Sequence, residues 1–142
     1  MTARPDAGFD GAKTILFLGR RIAVLRRDDI PGLVYPGCLD LPGGGREGTE
    51  SPEECALREL EEELGLRLCP ADLVWRRFYA RPRRVWFFAA LLPAARAADV
   101  RFGGEGQGWC LMRPEVFAAA ADAVPHFRQR VRDCLAACPT GR

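Results

Sequence analysis

Residues 44–66 read GGREGTESPEECALRELEEELGL, a glycine turn followed at once by a glutamate-rich segment of helical composition. The segment carries its own start signals: Ser51 can cap the free amides, Pro52 suits the first helical position, and Glu54 completes a Ser-x-x-Glu capping box. Gly65 fits the left-handed residue that commonly follows a helix, and Pro70 prevents an immediate restart, so the helix is predicted over 52–64. Leu57, Leu60 and Leu64, with Ala56 beside them, make an apolar stripe that can pack on a sheet. At about 100° per residue, Glu59, Glu62 and Glu63 share another arc, while Glu61 points elsewhere. Like charges so placed destabilise a helix by roughly 0.2–0.5 kcal/mol per pair, and a divalent cation would reverse that sign. Carboxylate oxygens are the hard ligands that Mg²⁺ and Mn²⁺ prefer. The plainer reading of such a run alone is a solvated acidic face.

The wider spacing is more specific. Gly44, five residues, Glu50, seven residues, Arg58-Glu59-Leu60, one residue, Glu62-Glu63, one residue, then Gly65-Leu66 resembles the Nudix box at every fixed position. The resemblance implies an α/β fold, the Nudix-type α/β/α sandwich with a mixed sheet. It also implies hydrolysis of a nucleoside diphosphate linked to another group, by water attacking phosphorus with the help of Mg²⁺ or Mn²⁺. By the box's pattern Glu62 and Glu63 are metal ligands, and Glu59 is a ligand or the general base. The carbonyl of Gly43, just before the first glycine of the box, joins the metal shell in the family. Gly44 and Gly65 are structural positions of the motif. Arg58 can form a bidentate pair with a carboxylate, which the resemblance identifies as Glu50, and both are assigned to support the site. Family members also recruit a carboxylate from a later loop, and Glu105, between glycines, is the candidate here. Its other reading is an exposed turn residue.

With 142 residues the chain is long enough for one domain with a real core and too short for two ordinary ones, so a single domain is expected over 12–140. Residues 1–11 are short, polar and glycine-containing, and are expected to be a disordered lead rather than a targeting peptide. Hydrophobic content of 48% with 28% charged residues suits a soluble globular protein, and no apolar run approaches the roughly 20 residues that cross a membrane. The six cysteines lack a Cys-x-x-Cys pair and His126 is the only histidine, which argues against structural zinc. Cysteines so widely scattered suit a reducing cytoplasm.

Beyond the box, Thr14–Leu18 and Ile22–Arg26 read as a hairpin around Gly19-Arg20-Arg21, with loop as far as Asp40. Leu73–Tyr79, Val85–Leu92 and Trp109–Met112 read as strands, and 114–122 and 126–138 as helices divided by Pro125. Arg76, Arg77, Arg81, Arg83 and Arg84 cluster at one strand connection. A solvated hairpin end fits the net charge of +2 better than extended nucleic-acid binding. Trp75, Tyr79, Trp86 and Trp109 are aromatics that could stack on a base.

The compact length resembles MutT-type nucleoside triphosphate pyrophosphohydrolases, including those that act on oxidised purine nucleotides. Pro82, 16 residues after Leu66, lies where ADP-ribose pyrophosphatases of the superfamily often carry proline, so an ADP-ribose or nucleotide-sugar pyrophosphatase is the alternative. Another class is a catalytically silent, nucleotide-binding regulatory module, and hydrolysis of RNA ends would need a surface that follows a polymer. The expected partner is a small-molecule nucleotide, with no membrane, and a homodimer is left open.

Overall fold

The structure, a computed structural model, describes residues 8–138. Seven strands and three helices follow in the order β1 (Gly11–Leu18), β2 (Arg21–Arg26), β3 (Leu39–Asp40), β4 (Gly43–Gly45), α1 (Pro52–Leu64), β5 (Leu73–Tyr79), β6 (Val85–Leu92), β7 (Gly108–Met112), α2 (Pro114–Ala119) and α3 (Pro125–Ala137). β1 is the centre of a mixed sheet because both of its edges are used. It runs parallel to β6 along its whole length, from Gly11 opposite Val85 to Leu18 opposite Leu92. Its other edge is shared, with Gly11–Lys13 pairing antiparallel to β4 and Phe17–Leu18 pairing antiparallel to β2. β5 continues the sheet beyond β6, while β7 and β3 pair with β2.

The two-residue side-chain period of β1 sorts the core into two layers. Ile15 and Phe17 pack with Phe87, Phe117, Phe127 and Val131 under α2 and α3, whereas Leu16 and Leu18 pack with Leu60 and Leu64 of α1. The sheet is therefore covered by α1 on one face and by α2 and α3 on the other, and β1 is buried on both, as its apolar run predicts. Arg76 and Arg77 are separated by the same alternation: Arg76 pairs with Glu53 of α1, Arg77 with Asp133 of α3.

Several expectations need adjusting. Leu18 pairs with Arg21, so the hairpin turn is only Gly19-Arg20, with Gly19 at φ 72°, a left-handed value that favours glycine. The glycines after Pro42 form a strand as well as a turn. Of the expected disordered lead, residues 1–7 lie outside the described residues, but Phe9 is buried and Gly11 already opens β1, because the parallel partner Val85 gives it a ladder to join. Residues 139 and 140 of the expected domain also lie outside. Along α1 the apolar stripe is turned by a residue, with Cys55 buried and Leu57 only half-buried.

Candidate active site

α1 starts and stops where its sequence directs. Ser51 accepts from the amide of Glu54 (3.1 Å) and the Glu54 carboxylate accepts from the amide of Ser51 (2.8 Å), while Gly65 takes the left-handed conformation at φ 69°. This fixes the rotation of the helix, so that Arg58, Glu59, Glu62 and Glu63 meet β4 and the loop that follows it.

Arg58 is the hub of that meeting. Its Nε donates to Glu50 Oε2 (2.6 Å) and its Nη2 to Glu50 Oε1 (3.2 Å), a two-pronged pair, and Nη2 also donates to the Gly45 carbonyl (2.8 Å). Nη1 donates to Glu59 Oε2 (3.0 Å) and to both oxygens of Glu62 (3.1 Å each). Glu63 turns the other way, its Oε1 accepting the amide of Gly43 at 2.7 Å. The absence of a side chain at Gly44 lets the Glu59 carboxylate lie against β4: a Cβ there would stand 2.6 Å from Glu59 Oε2. Among the described residues, no three carboxylate, thiol or imidazole groups already surround a common point. The three negative charges expected to crowd together are instead divided, two on the guanidinium and one on the Gly43 amide.

The electrostatics differ along the helix. Burial pushes the Glu63 carboxyl up to about 8, against the opposing pull of Lys13 and of the Gly43 amide. Burial also raises Glu59, with Arg58 pulling it down. For Glu50 the hydrogen bond from Arg58 outweighs burial and lowers the carboxyl. Glu63, Glu59 and the Gly43 carbonyl, which here accepts from Lys13 at 3.4 Å, offer the oxygen atoms that a hard divalent cation takes.

Glu63 and the glycines of β4 border a cleft of about 830 Å³ whose floor is the β4, β1 and β6 end of the sheet. Gly43, Gly44, Glu63 and Glu105 line it; Glu59 and Glu62, drawn to Arg58, do not. The Glu105 loop is tied at both ends, by Gly103 N–H to the Glu63 carbonyl (2.9 Å) and Gln107 N–H to the Arg26 carbonyl (2.9 Å). Gly103 must be glycine for that contact, since a Cβ would sit 2.0 Å from the Glu62 carbonyl oxygen.

Sequence reasoning passed over Lys13, a lone cation in an apolar run. Its Nζ reaches Asp40 Oδ1 (2.9 Å), the Leu41 carbonyl (3.1 Å) and the Gly43 carbonyl (3.4 Å), while Arg27 holds the other Asp40 oxygen (2.9 Å). Only the pairing of β1 with β4 brings Lys13 to Gly43; the alternation along β1 could have flagged its inward face. None of Trp75, Tyr79, Trp86 and Trp109 lines the cleft; Tyr35, Phe87, His126 and Phe127 do. Trp86 instead packs with Phe78 and Phe88 on the α1 side.

Comparison with known proteins gives a consistent result. The family model for the NUDIX domain matches residues 9–134. An RNA pyrophosphohydrolase of Gluconacetobacter diazotrophicus is 37% identical over 99 residues, 66% of this chain and 54% of that protein. An 8-oxo-dGTP diphosphatase of Haemophilus influenzae is 33% identical over 78 residues, 55% of this chain and 57% of that protein. The chain thus spans little more than half the length of these two relatives. Its fold resembles the crystal structure of a MutT protein from Methanosarcina mazei, with a TM-score of 0.72 at 21% identity, covering 88% of this chain and 91% of that one.

Proposed function

The chain belongs to the Nudix family of hydrolases, and from that premise we propose that it is a divalent-metal-dependent pyrophosphohydrolase of nucleoside triphosphates, oxidised purine nucleotides included. The observation that carries the reading is the Arg58 hub, which holds Glu50, Glu59 and Glu62 beside the glycine edge while Glu63 is buried on the Gly43 amide. Burying a carboxylate at the rim of a cleft costs free energy that the fold itself does not need, which supports a catalytic role over a silent binding module. Glu62, Glu63 and the Gly43 carbonyl are the proposed donors to Mg²⁺ or Mn²⁺, with Glu59 a further donor or the general base. When bound, the cation supplies charge neutralisation at the phosphates and a more acidic water.

The chain's own residues do the rest. Arg58 and Glu50 fix the helix against β4, so that Glu59 stands beside Gly44 with its orientation set by a guanidinium bond. Lys13 and Arg27 neutralise Asp40, leaving the cleft floor able to accept an anion. Glu105, on the loop tied to Glu63, supplies a further carboxylate facing the same space. The 8-oxo-dGTP diphosphatase relative supports the choice of nucleoside triphosphates. Pro82 lines the cleft, which supports ADP-ribose as a second reading. The six free cysteines support a reducing, cytoplasmic setting.

The test is turnover with Mg²⁺ over a panel of nucleoside triphosphates, oxidised guanine nucleotides and ADP-ribose, with products separated by chromatography. A nucleoside monophosphate released from a triphosphate and abolished by chelator is the expected result; preferential cleavage of ADP-ribose would replace the substrate assignment. Glu62→Gln should lose turnover while keeping the wild-type circular dichroism spectrum. Near-normal turnover in that variant would sink the metal assignment.

A further inference from the structure

The chain carries 21 lysine and arginine residues, and Lys13 is the only lysine among them. The exception suits its place, because an ammonium is a compact charge with three donors whereas a guanidinium is a planar fork. Lys13 Nζ meets three oxygens: Asp40 Oδ1 at 2.9 Å, the Leu41 carbonyl at 3.1 Å and the Gly43 carbonyl at 3.4 Å. The side chain is 14% exposed, and its ammonium stands 5.4 Å from the centroid of the Phe127 ring.

The contact with Gly43 is built into both strands. Lys13 is the register partner of Gly43, and a Cβ on that glycine would stand 2.6 Å from Lys13 Cα and 2.9 Å from its Cδ, so only glycine admits the lysine stem. Gly43 is thereby held at both ends, its N–H by Glu63 Oε1 at 2.7 Å and its carbonyl by Lys13. Asp40 does not neutralise this ammonium alone, since Arg27 holds its second oxygen at 2.9 Å and two cations share one carboxylate. Positive charge in excess therefore rests beside the same carbonyl that is assigned to the divalent cation. The Gly43 bond is the longest of the three, and so the one most readily given up.

We propose that Lys13 is an internal competitor of the divalent cation: its ammonium holds the Gly43 carbonyl before the cation binds, must release it for the cation to enter, and so sets the cation concentration at which the site fills. Asp40 and Leu41 keep the ammonium nearby after release, where its charge still opposes the dication at short range. A lysine present only to support the turn would act in the opposite sense, because its loss would loosen the Gly43 carbonyl and weaken cation binding. This inference rests on the metal-dependent reading and adds to it a positioning residue that restrains the metal.

The experiment measures Mn²⁺ binding by electron paramagnetic resonance, without nucleotide, in wild type, Lys13→Met, Lys13→Gln and Lys13→Arg, counting as the box site the binding that Glu63→Gln removes. Both neutral variants should bind Mn²⁺ about tenfold more tightly than wild type, and Lys13→Arg, which keeps the charge, should stay within about threefold of it. Equal or weaker binding in the neutral variants would overturn the competition and leave the metal site standing. Absence of binding in wild type and variants alike would overturn the metal reading as well. If the neutral variants do not fold, the wild-type protein decides by nuclear magnetic resonance: lysine occurs once, so ¹⁵N-lysine labelling gives a single side-chain ammonium signal. Saturating Mg²⁺ should move that signal and speed its proton exchange as the Gly43 bond is lost, and a signal unchanged in both respects would refute the inference.

Discussion

Replacing Glu50 by glutamine tests whether Arg58 organises the site as a charged hub. The two side chains are 17% and 20% exposed and joined by two hydrogen bonds, so their pairing is screened far less than a surface ion pair. The amide keeps one acceptor but turns an NH₂ toward a guanidinium that can only donate, so one charge-assisted bond is lost and another weakened. Removing a partner from a fully buried pair costs about 3–5 kcal/mol. Arg58 would keep Glu59, Glu62 and the Gly45 carbonyl as acceptors, which brings the expected loss to about 2 kcal/mol. For a domain of this length that is a fall in Tm of roughly 5–10 °C.

The pH dependence gives the sharper criterion. The Arg58 bond holds the Glu50 carboxyl below its ordinary value of 4.5. Its stabilisation is therefore complete above that value and is lost as pH falls through the lower, folded-state value. Urea unfolding of wild type and Glu50→Gln at pH 7 should differ by the full amount, and the gap should close as both are taken below pH 4. A gap that persists undiminished in acid, or that is absent at pH 7, would refute the hub argument.

Two further substitutions probe the geometry. Gly44→Ala would put a methyl group against the Glu59 carboxylate; the flexible end of that side chain should yield, with stability reduced by less than about 1 kcal/mol and kcat by tenfold or more, so unchanged kcat would show that Glu59 has no fixed station. Glu105→Gln, on an exposed loop, should leave the melting temperature within about a degree and lower kcat about tenfold; full activity would return Glu105 to the role of a turn residue.

The helix of the site was legible because its instructions are local: Ser51, Pro52 and Glu54 at one end and Gly65 at the other act within a turn or so of where they stand. The strands 73–79 and 85–92 were legible from their apolar and aromatic runs between glycine- and proline-containing connections. β4 was not, since three glycines carry no side-chain pattern and pair with β1 through backbone alone. Lys13 and Phe127 were invisible for a related reason. They meet beneath the cleft, 5.4 Å from ammonium to ring centroid, although one belongs to the first strand and the other to the last helix. The aromatic candidates failed because hydrophobic strands signal burial without saying which layer each ring will enter.

The parallel pairing of β1 with β6 has a consequence for how the protein is made. Antiparallel neighbours can zip from a short turn, but Gly11 must wait for Val85, most of a domain later in the chain, and closing so long a loop is slow. The acidic helix, complete with its caps, emerges well before the strand that closes the floor of the cleft. During synthesis the chain therefore passes through a stage in which β1, apolar on both faces, has no β6 to cover it, and that nascent strand is where aggregation would begin and where a chaperone would be needed.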